Sequence, residues 1–194
     1  PFYNIVVNKD NPQHDVRIRT EHFRVENDLT ISQGRFWDSD EGNGGPYAIR
    51  NLAGTNGSGG QLTIGANGSL MLGDNRGDDV ASSFPLVFGT VDIHEASTVV
   101  YRDRGRQNIT RLEDHWAGTA YGNLVMANGG RNQNNNFNAA NETEHTGNGR
   151  KDLTGDIVVR GNLEIDDSWF YDNGHAITNT GGATNPHTLI MSDD

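Results

Sequence analysis

The chain has 194 residues and a formal net charge of −11 at pH 7, with 33% hydrophobic residues, 25 glycines and no cysteine. This charge argues against nucleic acid and anionic membrane surfaces as partners, since both need a basic patch, and a chain without cysteine has no disulfide framework. No apolar run approaches the roughly 20 residues of a membrane-spanning helix, and the low apolar content favours a narrow repetitive core over a compact globule.

Alternating apolar and polar residues predict short β-strands along the whole chain, with Gly, Asn, Asp or Pro marking their ends. In chain order, strands are predicted at 2–8, 16–18, 23–31, 36–37, 47–52, 61–72, 91–101, 121–126, 163–165 and 188–191, with an acidic, glycine-rich loop at 38–46. We expect a tight turn at 66–68, inside one of these strands. Residues 102–115 are the least strand-like and predict either a loop or a short helix.

Residues 127–151 contain almost no apolar side chains. They predict an inserted polar loop that projects into solvent. The rest of the chain follows one pattern, so residues 1–194 are expected to form a single repetitive domain. Because the pattern runs up to both ends, we expect the chain to be a segment of a longer protein.

Two stretches 134 positions apart, 23–38 and 157–172, align without a gap and place Leu29 over Leu163 and Trp37 over Tyr171. A three-residue motif, in which two apolar residues flank one residue of any type, begins at positions 5, 29, 62, 91, 124, 163 and 189. The intervals between these starts are 24, 33, 29, 33, 39 and 26 residues. A period near thirty that tolerates insertions predicts stacked supersecondary units.

The predicted fold is an all-β parallel β-helix, a solenoid of about seven coils with roughly 30 residues each. In such a fold every second side chain of a strand points into the core. The residues predicted to face inward are Leu29, Ile31, Phe36, Leu62, Ile64, Val91, Ile93, Leu124, Leu163, Ile165 and Phe170. A β-sandwich is the alternative, since the same alternation serves it, but the regular long spacing favours the solenoid.

Several segments carry a family resemblance. They read FYNIVVNK from residue 2, LTI from 29 with a later Phe36, LTIG from 62, VRGNLEI from 159 and NGHAI from 173. These segments resemble the repetitive regions of large cell-surface and secreted adhesin-like proteins of Bacteroidetes, including gliding-associated adhesins exported by type IX secretion. The resemblance implies a right-handed β-helix outside the cell. It transfers no catalytic residue, because its pattern consists of core and turn positions.

Two polar segments are weak candidates for binding. Arg76, Gly77 and Asp78 spell a tripeptide that some adhesion receptors recognise, although an ordinary polar turn accounts for it in a chain rich in these residues.

The carboxylates at positions 38, 40 and 41 lie in a glycine-rich loop and offer hard oxygen ligands to Ca²⁺. Their spacing matches neither an EF-hand nor the nonapeptide calcium repeat. A solvated acidic loop is therefore the favoured interpretation of Asp38, Asp40 and Glu41.

Three aromatic residues are candidates for contact with sugars. If exposed, Trp37, Trp116 and Tyr171 have rings that stack on sugar rings. An inward-facing aromatic produces the same sequence pattern, so burial is the competing interpretation of each.

The sequence favours a structural or adhesive segment of an exported bacterial surface protein, a stalk or adhesin that contacts surface glycans or other cells. We expect no catalysis and no cofactor. One alternative is a self-assembling extracellular filament subunit joined through strand edges at 2–8 and 188–191. Another is a β-helix polysaccharide lyase or hydrolase. There Asp38 and Asp172 hold equivalent repeat positions with Arg35 nearby, but the repeat separates them by more than the ~5–10 Å that glycosidic cleavage needs.

Overall fold

The structure is a computed structural model and describes residues 2–18, 23–38, 49–51, 59–73, 84–103, 107–127, 150–166, 168–180 and 189–192. The strands of the first half are β1 Ile5–Asn8, β2 Asp15–Arg17, β3 Phe23–Val25, β4 Leu29–Trp37, β5 Ile49–Asn51, β6 Gly59–Leu72, β7 Phe88–Ile93 and β8 Thr98–Tyr101. Those of the second half are β9 Gln107–Ile109, β10 Asn123–Ala127, β11 Arg150–Leu153, β12 Ile157–Val159, β13 Leu163–Asp166, β14 Trp169–Tyr171, β15 Ile177–Asn179 and β16 Leu189–Ser192. A 3₁₀ helix, Leu112–Asp114, follows β9.

All strand pairs within these ranges are parallel. The largest sheet has the order β1-β4-β6-β8-β10-β13-β16, with β2 also paired to β4 and β7 to β6. Three smaller sheets contain β14-β11-β9, β12-β15 and β3-β5. The protein is therefore an all-β chain built from parallel sheets, and its described pairs lack the antiparallel pairing of the immunoglobulin-type sandwich. In the same ranges, no helix has the length and apolar character needed to cross a membrane.

The register confirms five of the six predicted intervals. Ile5 pairs with Leu29, Leu29 with Leu62 and Leu62 with Val91, which gives offsets of 24, 33 and 29. Later in the chain, Leu124 pairs with Leu163 and Leu163 with Leu189, at offsets of 39 and 26. The fourth interval is wrong, because Leu124 pairs with Val99 rather than with Val91.

The wrong interval has a local cause. Both β7 and β8 pair with the long strand β6, and the turn at residues 94–97 separates them. Gly122, the residue directly before β10, lies against this turn. A Cβ atom at Gly122 would approach the carbonyl oxygen of Ser97 to 2.6 Å. Only the backbone of a glycine fits there, so the chain passes the turn directly and β10 pairs with β8.

The first apolar residues of the predicted repeats therefore lie in two stacks instead of one. The first stack is formed by Ile5, Leu29, Leu62 and Val91. The second is formed by Val16, Phe36, Leu70, Val99, Leu124 and Leu163. Seven of the eleven residues predicted to face inward are buried members of the main core cluster, and the other four, Val91, Leu163, Ile165 and Phe170, are partly buried and pack against it.

Three predicted segments differ from the structure or are only partly described by it. Strand β6 runs unbroken from Gly59 to Leu72, so the turn predicted at 66–68 is absent and Gly68 instead pairs with Gly34 beside a register shift in β4. The segment 102–115 contains the 3₁₀ helix but also β9, which the sequence pattern did not reveal. Of the loop predicted at 127–151, Ala127 ends β10 and Lys151 lies within β11, while 128–149 lie outside the described residues.

Asparagine and aspartate side chains join successive repeats at the starts of their strands. Asn4, Asp28 and Asn123 each directly precede the first apolar residue of a strand. Their Oδ1 atoms accept the backbone N–H of Asp28 at 3.2 Å, of Gln61 at 2.9 Å and of Asn162 at 2.8 Å, respectively. Each such side chain therefore supports the start of the neighbouring repeat.

Replacing Asn123 by alanine is expected to lower the free energy of unfolding by about 1 kcal/mol. Its Nδ2 also donates to the carbonyl oxygens of Ala96 and Ser97, at 3.0 and 3.2 Å, but the side chain is half-buried and water replaces part of what is lost. Urea denaturation measures the difference. Asn108→Ala on β9 removes an exposed asparagine and should have almost no effect; equal losses in both variants would contradict the role of Asn123.

Candidate functional site

The structure describes only part of the predicted binding residues. Arg76, Gly77, Asp78, Asp40 and Glu41 lie outside the described residues. Asp38 is buried, and its Oδ1 accepts the backbone N–H of Gly73 at 3.0 Å. At least one oxygen of the carboxylate that was a candidate Ca²⁺ ligand therefore bonds the backbone next to β6. Within the described ranges, no cluster of three or more His, Asp or Glu side chains is arranged to hold a metal ion.

Trp116 is a core residue and not an exposed one. Its side chain is buried, its indole N–H donates to the carbonyl oxygen of Phe88 at 3.1 Å, and its ring meets Phe84 edge to face at 5.8 Å. Of the two interpretations that the sequence left open for this residue, the structure supports burial, because the turn after the 3₁₀ helix directs the indole into the core.

Trp37 lies on the outer face of the large sheet but is only 3% exposed. The guanidinium carbon of Arg17 lies 4.5 Å from the ring centroid and that of Arg102 lies 4.2 Å from it. Arg17 lies in β2 and Arg102 directly follows β8, and these two strands lie on opposite sides of β4 in the sheet. Trp37 points away from the main core, but its ring is covered, so burial is the interpretation that the structure supports at this position.

One carboxylate organises this arginine–tryptophan cluster, which consists of Asp15, Arg17, Arg35, Trp37 and Arg102. Asp15 accepts bonds from Nε and NH2 of Arg17 at 3.1 and 2.6 Å, and from Nε of Arg35 at 2.6 Å. Burial raises the pKa of Asp15, but these donors outweigh it and the pKa is lowered. The indole N–H of Trp37 also helps to lower the pKa of Asp15, although among the described residues this N–H has no partner at normal hydrogen-bond geometry.

An apolar line continues from Trp37 along the outer face. Met71 pairs with Trp37, Val100 with Met71 and Val125 with Val100. Trp37, Met71 and Val100 form a second buried cluster, against which Val125 and Ala127 pack. The large sheet is thus apolar on both faces along this line, as is common in parallel sheets.

A second outer-face group, the arginine–tyrosine cluster, lies in the three-stranded sheet and consists of Arg150, Asp152, Tyr171 and Asn173. Arg150 donates to Asp152 from Nε at 2.9 Å and from NH2 at 2.7 Å, and its guanidinium carbon lies 4.1 Å from the Tyr171 ring centroid. Asn173 donates to the backbone oxygen of Leu153 at 2.9 Å. Tyr171 is half-buried, so it is the one predicted aromatic residue that retains solvent exposure.

The carboxylate pair of the enzyme alternative is not assembled in one sheet. Asp38 directly follows β4 in the large sheet and is buried, whereas Asp172 directly follows β14 in the three-stranded sheet and is exposed. Arg35, the basic residue assigned to that pair, bonds Asp15 instead. The side chains around Trp37 and Tyr171 are arranged for stacking and ion pairing.

Sequence reasoning missed a polar group inside the core. Lys151 is 0% exposed, and its Nζ donates to the backbone oxygen of Asp103 at 2.7 Å. Gln107, its neighbour in register, accepts the N–H of Asp103 at 3.0 Å and donates to the backbone oxygen of Leu72 at 3.0 Å. Lys151 lies two residues before the inward-facing Leu153, so strand alternation could have identified it.

The two outer-face clusters and the buried lysine are thus the chemically distinctive features of the described chain. In the two clusters, arginine guanidinium groups lie over aromatic rings. No protein-family model, no curated protein and no solved structure matches this chain.

Proposed function

We propose that the chain is a segment of a right-handed parallel β-helix that serves as a structural and adhesive part of an exported bacterial surface protein. The observation that carries this proposal is the parallel ladder through β1, β4, β6, β8, β10, β13 and β16, with its two stacks of apolar side chains. Parallel strands joined by crossovers are almost always right-handed, and a repeat that buries its apolar face only against its neighbours builds a solenoid.

The mechanism is geometric. Seven paired strands at about 4.8 Å spacing extend roughly 30 Å along the stacking direction, and further repeats of a longer parent protein would lengthen the same column. A stiff column carries adhesive groups away from the cell surface. The partly exposed Tyr171 is the described aromatic residue available for such contacts, with surface glycans or other cells as the expected partners.

A self-assembling filament subunit is the second candidate. Phe2, Tyr3 and Val6 are 60%, 65% and 65% exposed, and they lie in or next to β1, the edge strand of the large sheet. An edge strand with exposed apolar residues is a template for pairing with another chain.

Two measurements on the producing cells test the proposal. Limited proteolysis of intact cells should release peptides from residues 1–194 before any peptide from a cytosolic marker protein. Their appearance only after lysis would contradict export. Cryo-electron microscopy of the native material should then show a continuous rod in which neighbouring layers differ in sequence. Identical copies joined end to end would favour the filament.

A further inference from the structure

Strand β7 has an unpaired edge in the middle of the chain. On one side it pairs with β6. The repeat that follows is present, but it passes β7 by, because Gly122 lies against the turn at 94–97 and β10 pairs with β8. Among the described strands, none takes the place next to β7 on that side. The edge therefore comes from the change of register inside the chain and is independent of where the sequence begins or ends.

The backbone of Val91 points to this edge. The N–H of His94 donates to the carbonyl oxygen of Ile64 in β6 at 2.9 Å. Along a β-strand the N–H and C=O of one residue point to the same side, and successive residues alternate. The backbone groups of Asp92 therefore also face β6, whereas those of Val91 face away from it, and no described residue outside β6 bonds them. Such an edge is a template for an added strand.

The first apolar stack ends at the same edge. Leu29 and Leu62 are 0% exposed inside this stack, whereas Val91, its last member, is only partly buried. Trp116 closes the start of the edge, since its indole N–H donates to the carbonyl oxygen of Phe88 at 3.1 Å. A further strand beside β7 would place an apolar side chain on Val91 and lengthen the stack by one member.

The outward side chains at this edge are acidic. Asp92 is exposed and alternates with the inward-facing Val91 and Ile93, and Glu95 is exposed in the turn that follows. In the part of the chain that the structure describes, no cation forms an ion pair with either carboxylate. The whole chain carries −11. A segment with a basic residue between two apolar ones therefore complements both the stack and the charge of this edge.

We propose that β7 binds an extended segment of a partner protein by strand addition, and that this segment alternates apolar and basic residues. Backbone hydrogen bonds to Val91 hold the segment. Its apolar side chains extend the first stack, and its basic side chains lie beside Asp92. The inference goes beyond the proposed adhesive role, because it depends on the register of the described strands and not on where the protein is located.

Hydrogen exchange of the isotope-labelled protein, followed by NMR, tests this inference with the peptide acetyl-Thr-Val-Lys-Val-Thr-Val-Lys-amide as the probe. The Val91 amide, assigned by its loss in Val91→Pro, should exchange fast in the free protein. Saturating peptide should slow this exchange at least about tenfold. The same peptide methylated at all its backbone nitrogens should give no protection. Glutamate in place of its lysines should weaken binding about twofold to fivefold.

Two variants locate the binding edge. Val91→Pro removes the N–H that faces the edge and should abolish binding of the peptide, since proline is tolerated in edge strands but cannot donate. Asp92→Lys should lower the affinity at least about twofold. Glu26→Lys makes the same change of net charge at an exposed residue before β4 and should leave the affinity nearly unchanged. If Val91→Pro does not fold, the comparison of Asp92→Lys with Glu26→Lys replaces it.

Four results would overturn the inference. Slow exchange of the Val91 amide in the free protein would show that the chain itself already covers the edge. Slowing that appears with rising protein concentration and without peptide would assign the edge to a second copy of the chain. The other two are an unchanged Val91 exchange rate at saturating peptide and equal affinities of Asp92→Lys and Glu26→Lys.

Discussion

Replacing Leu62 by alanine is expected to lower the free energy of unfolding by about 2 to 5 kcal/mol, because a buried leucine loses its packing and leaves a cavity. Leu62 is 0% exposed and stacks in register between Leu29 and Val91. Hydrogen-bonded strands hold both neighbours in place, so the surroundings cannot collapse into the space. Chemical denaturation of the two proteins measures the difference.

Val6→Ala is the matched control for this change. Val6 is 65% exposed on β1, so its truncation should change the free energy of unfolding by less than about 0.5 kcal/mol. If Leu62→Ala costs no more than Val6→Ala, the first apolar stack does not exist in solution.

Raising the pH from about 7.5 to about 9.5 is expected to stabilise the protein by about 2 kcal/mol through Lys151. Burial lowers the pKa of Lys151 from 10.5 to about 8, against a smaller opposing attraction by Asp103. Between these two values the unfolded chain still binds the proton that the folded chain has released. Stability from this group is therefore gained as the pH rises through this window and lost as it falls.

The upper end of the window is limited by two buried tyrosines. Burial raises the pKa of Tyr101 and of Tyr121 above the ordinary value of 10.0, and their hydroxyl oxygens lie 2.8 Å apart in the core. Above about pH 10 the unfolded chain loses these protons first, so stability falls again. Measurements are therefore best kept below that pH.

Lys151→Met identifies the group responsible for the pH effect. Methionine keeps the length of the side chain and removes the amine, so the free energy of unfolding of this variant should lack the rise between pH 7.5 and 9.5. Thermal or urea denaturation at four or five pH values gives both curves. A rise of equal size in the variant would show that another group causes it.

Strand alternation was enough to identify the core, because it reports only which side of a strand faces inward. It placed Leu29 and Ile31 correctly without any knowledge of their partners. Alternation could not predict which stack a residue belongs to. A turn that is present in one repeat and missing at Gly122 changes the strand register without changing the local pattern of apolar residues. Leu163 therefore resembles Leu29 in sequence but lies in the other stack, in register with Leu124.

The candidate site was predictable only in part for a related reason. The position of Trp37 next to the inward-facing Phe36 agrees with strand alternation, but alternation could not reveal that the ring is covered by Arg102, which is 65 residues later in the chain. Trp116 lies outside any strand, so alternation held no information about it. Lys151 occupies an inward position despite its charge, and a polar residue at a core position is the signal that would have revealed the buried group.

Exclusive pairing of neighbouring repeats also determines how the chain can fold. The paired residues are separated by 19 positions, as for Arg150 and Trp169, to 44 positions, as for Gln107 and Lys151. No described pairing joins the two ends of the chain, so every step of assembly closes a loop of similar size and similar entropy cost. In the proposed β-helix, folding can therefore begin at any adjacent pair of strands and spread in both directions, at a rate per step that does not depend on the total number of repeats.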